Sequence, residues 1–447
     1  MWETVVILFF GGVKVWSVFQ AKRERLRIWQ AAAESNDLVV ETTQTWVWSL
    51  HLKAHAGPLE VRFEDTRHKD GGSRIVVVVR GPLGFTAVKI RREWMKPPWA
   101  REIEVGDKAF DGAFYVVGPP RLLCALLDAE TRHLLIDVNA ESRGMEIVDG
   151  EIRAETSDGQ VSNLLRLLLE IGRRLAQPLD AVQRLAENTK KDPKAGVRLR
   201  NLILLVHEFP GEPGTTEALR TACSDASAQI RLRAAKELGA EGRGVLVELA
   251  ENTIDDATSA QAISILGQNL PPERTRAILA QALRRRHVQT ARACLEALGD
   301  SGAAEDIGTL AKVMALEKGE LAAAAAKALG STGSPAAEPP LVLALQRAEL
   351  ADLQVAAANA LARAGTTAAV LPLKELAEHI SHHPEIRKAA RQAIAEIQSR
   401  LPGASPGQLS LAGTETGQLS LAQAEPGQLS LASEPGGELS LPAEEVP

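Results

Sequence analysis

Asp107 and Asp111 stand four residues apart in the stretch Glu104-Val-Gly-Asp-Lys-Ala-Phe-Asp-Gly-Ala-Phe-Tyr-Val-Val-Gly118. Two carboxylates at that spacing share one face of a helical turn, where they could hold a metal ion or act as a general acid and base. The same spacing lets both aspartates cap a turn that packs Phe110 and Phe114 on a sheet. With no His or third carboxylate at ligand-like spacing, capping is the reading the residues favour. His51 and His55 are also four apart, on one face if their segment is a strand. Without the glutamate of an H-E-x-x-H motif they read as a solvated or interface pair. Arg284-Arg285-Arg286-His287 is the densest basic run. It could meet a phosphate or an acidic partner, or it could close a helix whose last carbonyls attract cations. His379, His382 and His383, before Pro384, read as a polar inter-helix loop. Cys124, Cys223 and Cys294 form no C-x-x-C pair, which disfavours a disulfide scaffold and a zinc ribbon.

The elements that must position these residues fall into bodies of different composition. All seven Trp, the one Tyr (Tyr115) and every Phe except Phe209 lie before residue 116. An aromatic-rich front portion therefore precedes an alanine- and leucine-rich helical one. Within the latter a marker recurs at Leu205, Leu238, Leu266, Leu298, Leu329, Leu361 and Ile394. Four residues earlier stand Asn201, Ala234, Ala262, Cys294, Ala325, Ala357 and Ala390, and eight earlier Val197, Ile230, Thr258, Thr290, Leu321, Leu353 and Ile386. These spacings place all three on one helix face, and a small middle residue lets neighbouring helices approach closely. A repeat of that size predicts about seven helical hairpins stacked as a solenoid, an architecture that presents an extended binding surface.

In the front portion, residues 38–48, 58–63, 74–80 and 85–90 read as strands, and Met145 to Arg153 as a hairpin turning at Asp149-Gly150. A helix fits Pro120 to Leu127, and a short strand is expected around Leu134 to Val138. Ahead of this, Thr4 to Phe19 is apolar apart from Lys14 and a few small polar residues, and Lys22, Arg23, Arg25 and Arg27 follow it. That order predicts a single-pass membrane anchor with the bulk of the chain on the cytoplasmic side. An interfacial helix, a buried helix and a plain cytoplasmic location are the alternatives.

The chain carries a formal charge of -6. Residues 401–447 hold six Glu and no Lys or Arg, so the rest is formally neutral. A neutral body argues against binding nucleic acid through net basicity. In this tail Gly407-Gln-Leu-Ser-Leu-Ala412 recurs at a ten-residue period, ending in Gly437-Glu-Leu-Ser-Leu-Pro442. The Gly, Pro, Ser and Glu between copies predict disorder. The repeated Gln408, Leu409, Leu411, Gln418, Leu419, Leu421, Gln428, Leu429 and Leu431 form a candidate linear motif whose avidity rises with copy number.

Three resemblances attach to these residues. Val197-Arg198, Ile230-Arg231 with Ala234-Ala235 and Leu238-Gly239, and Ile386-Arg387 with Ala390 resemble HEAT repeats of the short, phycobilin-lyase-like class. Leu266-Gly267, Leu298-Gly299 and Leu329-Gly330 keep that class's ending without its arginine. The resemblance implies a helical repeat scaffold, with a lyase-like activity as the enzymatic alternative. The tetratricopeptide rival wants Trp, Tyr and Phe, which this segment almost lacks. Gly106-Asp107, Phe110-Asp111, Phe114, Val116 and Gly118, behind an apolar segment and an arginine-rich flank, resemble the front part of uncharacterised bacterial membrane-anchored proteins, a likeness that implies no activity. Gln-Leu-Ser-Leu is similar to the peptide by which bacterial proteins dock on the DNA sliding clamp. Here Ala412, Ala422, Ala432 and Pro442 stand where that peptide has its anchoring aromatic, so the pocket contact is mostly lost.

The expected architecture is multidomain: a hydrophobic anchor helix with its basic flank (1–30), a small α+β domain (31–160), an all-α HEAT-like solenoid (161–401) and a disordered acidic tail (402–447). The expected function is a membrane-tethered scaffold binding a protein partner on the solenoid surface, with Arg284, Arg285 and Arg286 as contact candidates. No cofactor, metal or catalytic residue and no nucleic-acid partner is expected. The enzymatic alternative would sit near Asp107 and Asp111 or on the array, and a nucleic-acid-associated protein is the further alternative.

Overall fold

The computed structural model describes residues 20–45, 50–67, 73–81, 88–97, 99, 101–177, 179–252, 254–347, 351–378, 383–400, 409–412 and 418–421. The chain divides into two compact units, Met1–Leu238 and Gly239–Pro447. It is mostly helical, with one large antiparallel sheet near the N-terminus.

Unit 1 opens with helix α1 (20–35). Eight strands follow: β1 (Val39–Thr45), β2 (Leu50–Ala56), β3 (Leu59–Arg67), β4 (Ser73–Arg80), β5 (Lys89–Arg92), β6 (Phe114–Val117), β7 (Met145–Val148) and β8 (Glu151–Thr156). Interleaved are α2 (Lys108–Asp111), α3 (Pro120–Leu126), α4 (Ala129–Glu141) and, after the sheet, α5 (Val161–Leu175). Every strand pair is antiparallel, in the order β1-β2-β3-β4-β8-β7-β5-β6.

Strict alternation decides which face is covered. Leu50, Leu52 and Ala54, then Leu59, Val61 and Phe63, then Ile75, Val77 and Val79, are buried and point one way. Against them lie α1, whose Trp29 ring stacks on Phe63 at 5.7 Å, and α5. The other face is a lattice of cross-strand ion pairs, among them Lys53–Glu41, Arg62–Glu151 and Arg153–Glu64. Val78 is on this outer face and is still buried. Its register partners are Arg62 and Arg153, whose aliphatic stems can roof it while their charges stay in water.

The sequence-based expectation is corrected at three places here. Leu134 to Val138 is helix α4 and not a strand: Asp128 caps it by accepting from the Thr131 amide, and Leu135 and Val138 meet the core three residues apart. Phe110 and Phe114 do pack together, with centroids 5.1 Å apart, but Phe110 lies within a helical turn that ends at Asp111 while Phe114 begins β6. The single-pass membrane placement is also overturned. Among the described residues no helix is long and apolar enough to cross a membrane. The basic flank is built into the front domain: Lys22 and Arg25 are buried, and Arg25 pairs with Asp65 and with Asp158 and lies over the Trp29 ring. Thr4 to Phe19 lies outside the described residues.

The remaining helices come in pairs. Unit 1 contains α6 (Ala181–Lys191) with α7 (Ala195–Glu208), and α8 (Pro213–Ala222) with α9 (Ala228–Leu238). Unit 2 contains α10 (Arg243–Asn252) with α11 (Asp256–Leu266), α12 (Pro272–Arg285) with α13 (Val288–Ser301), and α14 (Ala304–Leu316) with α15 (Glu320–Ser331). It continues with α16 (Glu338–Leu345) and α17 (Ala351–Ala364), then α18 (Val370–Glu378) and α19 (Pro384–Ser399). Pro213 and Pro272 sit at the first residue of first helices, where the missing N–H costs nothing.

Each marker lies on the second helix of its pair. The residue four positions earlier, small in every case but Asn201, has no exposed surface in any of the seven, and the residue eight earlier is buried in all. In unit 2 the second helices pack on one another, α11 on α13, α13 on α15, α15 on α17 and α17 on α19. Two of the Leu-Gly endings have a steric reason: a Cβ on Gly299 would lie 2.7 Å from the Ala328 carbonyl oxygen, and one on Gly330 would lie 2.6 Å from the Ala360 Cα, whereas Gly239 and Gly267 meet nothing there and hold φ of +58° and +50°. In the tail, Leu409–Ala412 pairs antiparallel with Gln418–Leu421. A two-stranded ribbon is marginal alone in water, and it amends the expected disorder only at these residues.

Candidate functional site

The Gly106-Asp107 motif is a joint. Asp107 caps α2 by accepting from the Ala109 amide at 3.2 Å, and its other oxygen takes the Nε of Arg132 on α4 at 3.1 Å. The two Nη atoms of Arg132 grip Asp192 at 2.9 and 3.1 Å, and Nη1 also donates to the Leu127 carbonyl at 2.8 Å. Arg132 and Asp192 are buried. Gly106 lies directly on Gly196 at the start of α7; a Cβ on either would clash with the other's backbone. Asp111 accepts from the amides of Val105 and Gly106 at 2.9 and 3.0 Å. Burial raises its pKa, and those two amides offset part of the rise. Both carboxylates are thus occupied by structural contacts.

The Asp192 contact has a counterpart one repeat later. Arg198 on α7 grips Asp225 at 2.7 and 2.9 Å and donates to the Asp192 carbonyl at 2.8 Å. Arg231 on α9 donates to the Asp225 carbonyl at 2.8 Å. Asp192, Asp225 and Asp255 each accept from the amide two residues on, Lys194, Ser227 and Ala257. Arg132 therefore does for Asp192 what Arg198 does for Asp225. The α+β domain thus supplies to the α6–α7 hairpin the arginine contact that α7 supplies to the α8–α9 hairpin.

An exposed groove lies in unit 2. Across α13, α15, α17 and α19 runs a groove of about 590 Å³. Its floor is the half-buried Ala323, Ala324, Val355 and Ala356. Glu320, Asp352 and Glu385 line it, as do Lys327, Asn359 and Arg363. The Arg292–Glu320 and Lys327–Glu296 ion pairs link successive second helices at its edge.

The sequence candidates are placed as follows. Arg284 and Arg285 are exposed in the last turn of α12, and Arg286 caps it in the left-handed conformation with φ 61°, 3.5 Å from Glu317. They do not line the groove. His51 and His55 share the outer face of β2, where His55 Nε2 lies 2.9 Å from Glu41. His383 takes the cap position of α19, while His379 and His382 lie outside the described residues. Leu409, Leu411, Gln418, Leu419 and Leu421 fall in the two short strands; Gln408, Gln428, Leu429 and Leu431 lie outside the described residues. Among the described residues no group of three or more His, Cys, Asp or Glu could hold a metal ion. Sequence reasoning missed Arg132, Asp192 and the groove. The one sequence signal for the groove was the acidic residue recurring nine positions before the marker at Glu320, Asp352 and Glu385, which gains meaning only with the second helices side by side.

No family model matches the chain, and no curated protein matches it in sequence. Among solved structures, human deoxyhypusine hydroxylase in complex with glycerol is similar to it. That match covers 49% of this chain and 96% of the other, at 22% sequence identity and a TM-score of 0.20. A likeness at that TM-score carries no argument about fold or activity.

Proposed function

We propose that the chain is a scaffold that binds a protein partner along the exposed face of its second helices, with the α+β domain acting as the cap of a HEAT-like helical array. The groove over α13, α15, α17 and α19 carries this reading. It combines a floor of small side chains, which lets a partner backbone approach closely, with charges of both signs at its edges. Near-balanced charge there favours a polypeptide over a polyanion such as nucleic acid. The enzymatic reading has less to rest on, because Asp107 and Asp111 are engaged by Arg132 and by backbone amides.

Filling the floor tests the proposal. Ala324→Glu with Ala356→Glu should abolish capture of a stoichiometric protein partner from an extract of the native cells while leaving the melting temperature nearly unchanged. Capture that survives the double substitution contradicts it.

A further inference from the structure

Equivalent positions on successive second helices carry the same kind of group. Nine residues before the marker stand Glu320 on α15, Asp352 on α17 and Glu385 on α19, all exposed. Five and six residues before it stand Ala323 with Ala324, and Val355 with Ala356, which form the floor. Lys327, Asn359 and Arg363 follow on the far side of that floor. Glu320 meets Arg292, and Lys327 meets Glu296. Among the described residues Asp352, Glu385 and Arg363 form no ion pair, so the groove holds unspent charge of each sign on its two sides.

We propose that this groove takes a segment of another protein in the polyproline-II conformation that carries Lys or Arg at every third residue, a reading that rests on the scaffold function above. Packed helices lie about 8–10 Å apart, and a polyproline-II chain returns to the same face every three residues with a rise of about 3.1 Å each. Three residues therefore carry the chain from one second helix to the next, which brings cations at i, i+3 and i+6 to Glu320, Asp352 and Glu385. One of the two residues between successive cations faces alanine and valine, where only a small side chain leaves the backbone room to approach. The Asn359 amide offers both a donor and an acceptor to a peptide group. Lys327 and Arg363 repel the same cations from the other rim, which fixes the side on which the basic row lies. A helical partner segment would need its cations about seven residues apart to span the same distance at 1.5 Å per residue.

The test uses the full chain and fluorescently labelled peptides of identical composition, lysine among alanine and serine. One peptide has lysine at every third residue, one has it at every seventh, and one has the lysines contiguous. Fluorescence anisotropy at physiological salt reads the affinity. The every-third peptide should bind about fivefold or more tighter than either isomer, and Asp352→Asn with Glu385→Gln should weaken it by about tenfold, two exposed ion pairs being lost. Equal binding of the three isomers, or an unchanged affinity in the double variant, overturns the proposal. If the peptide fails while Ala324→Glu/Ala356→Glu still abolishes partner capture, the scaffold stands and this ligand class falls. If the floor variant also keeps its partner, the scaffold reading falls as well.

Discussion

Arg198 and Asp225 meet through two parallel hydrogen bonds, Nε to Oδ2 at 2.7 Å and Nη2 to Oδ1 at 2.9 Å, and so fasten one helical hairpin to the next. Both side chains are largely buried. For Asp225, burial alone would raise the pKa, but the Arg198 guanidinium and the Ser227 amide outweigh it and hold the carboxyl below its ordinary value. A carboxylate held low contributes stability above its unfolded pKa of about 3.9 and loses it as pH falls through the folded value. Asp225→Asn should therefore cost about 1.5–3 kcal/mol at neutral pH. That deficit should shrink in urea melts run below about pH 4, and a deficit independent of pH would contradict the assignment.

Arg132 is the more demanding position, because removing it takes from Asp107 and Asp192 the guanidinium that both of them pair with. Arg132→Ala should cost about 3–5 kcal/mol, the range for breaking a buried pair. The loss should be felt both in the α+β domain and in α6 and α7, since the residue touches both. Hydrogen exchange would show increased opening on each side of the joint; loosening of α4 alone would speak against a cap.

Leu298 and Leu238 occupy the same repeat position in different surroundings. Leu298 is buried, whereas Leu238 ends α9 and is half-buried. Leu298→Ala should cost about 2–5 kcal/mol, and Leu238→Ala clearly less. Melting temperatures in the reverse order would displace the repeat register.

Burial pushes the Cys124 thiol up to about 11 and the Cys294 thiol up to about 12. Thiolate is the reactive form, so at pH 8 neither should react with a disulfide reagent in the folded chain. Both should label at the rate of global unfolding; fast labelling at Cys294 would remove it from the packed slot between helices.

How far the sequence spoke depends on whether a contact is periodic. The residues Asn201 to Ala390 at the small position could be read in advance because each repeat faces the same steric demand, and all seven are fully buried. The strand face of Leu59, Val61 and Phe63 was legible for the same reason, by alternation. Arg132 was not legible, since an arginine reads as surface until its two aspartates, 25 and 60 positions away, are brought together. Residues 134–138 misled because Leu-Leu-Ile-Asp-Val fits a short strand or a buried helix turn equally well, and the Asp128 cap decided between them. The groove escaped notice because its residues are individually ordinary and gain meaning only when α15, α17 and α19 lie side by side.

The most direct test of the scaffold is hydrogen–deuterium exchange on the full chain, free and bound to a partner captured with it. Protection on binding should concentrate on the exposed faces of α13, α15, α17 and α19, around Arg292, Glu320, Asp352 and Glu385. Protection confined to residues 101–118, or to Arg284, Arg285 and Arg286, would contradict the account and move the functional surface away from the groove.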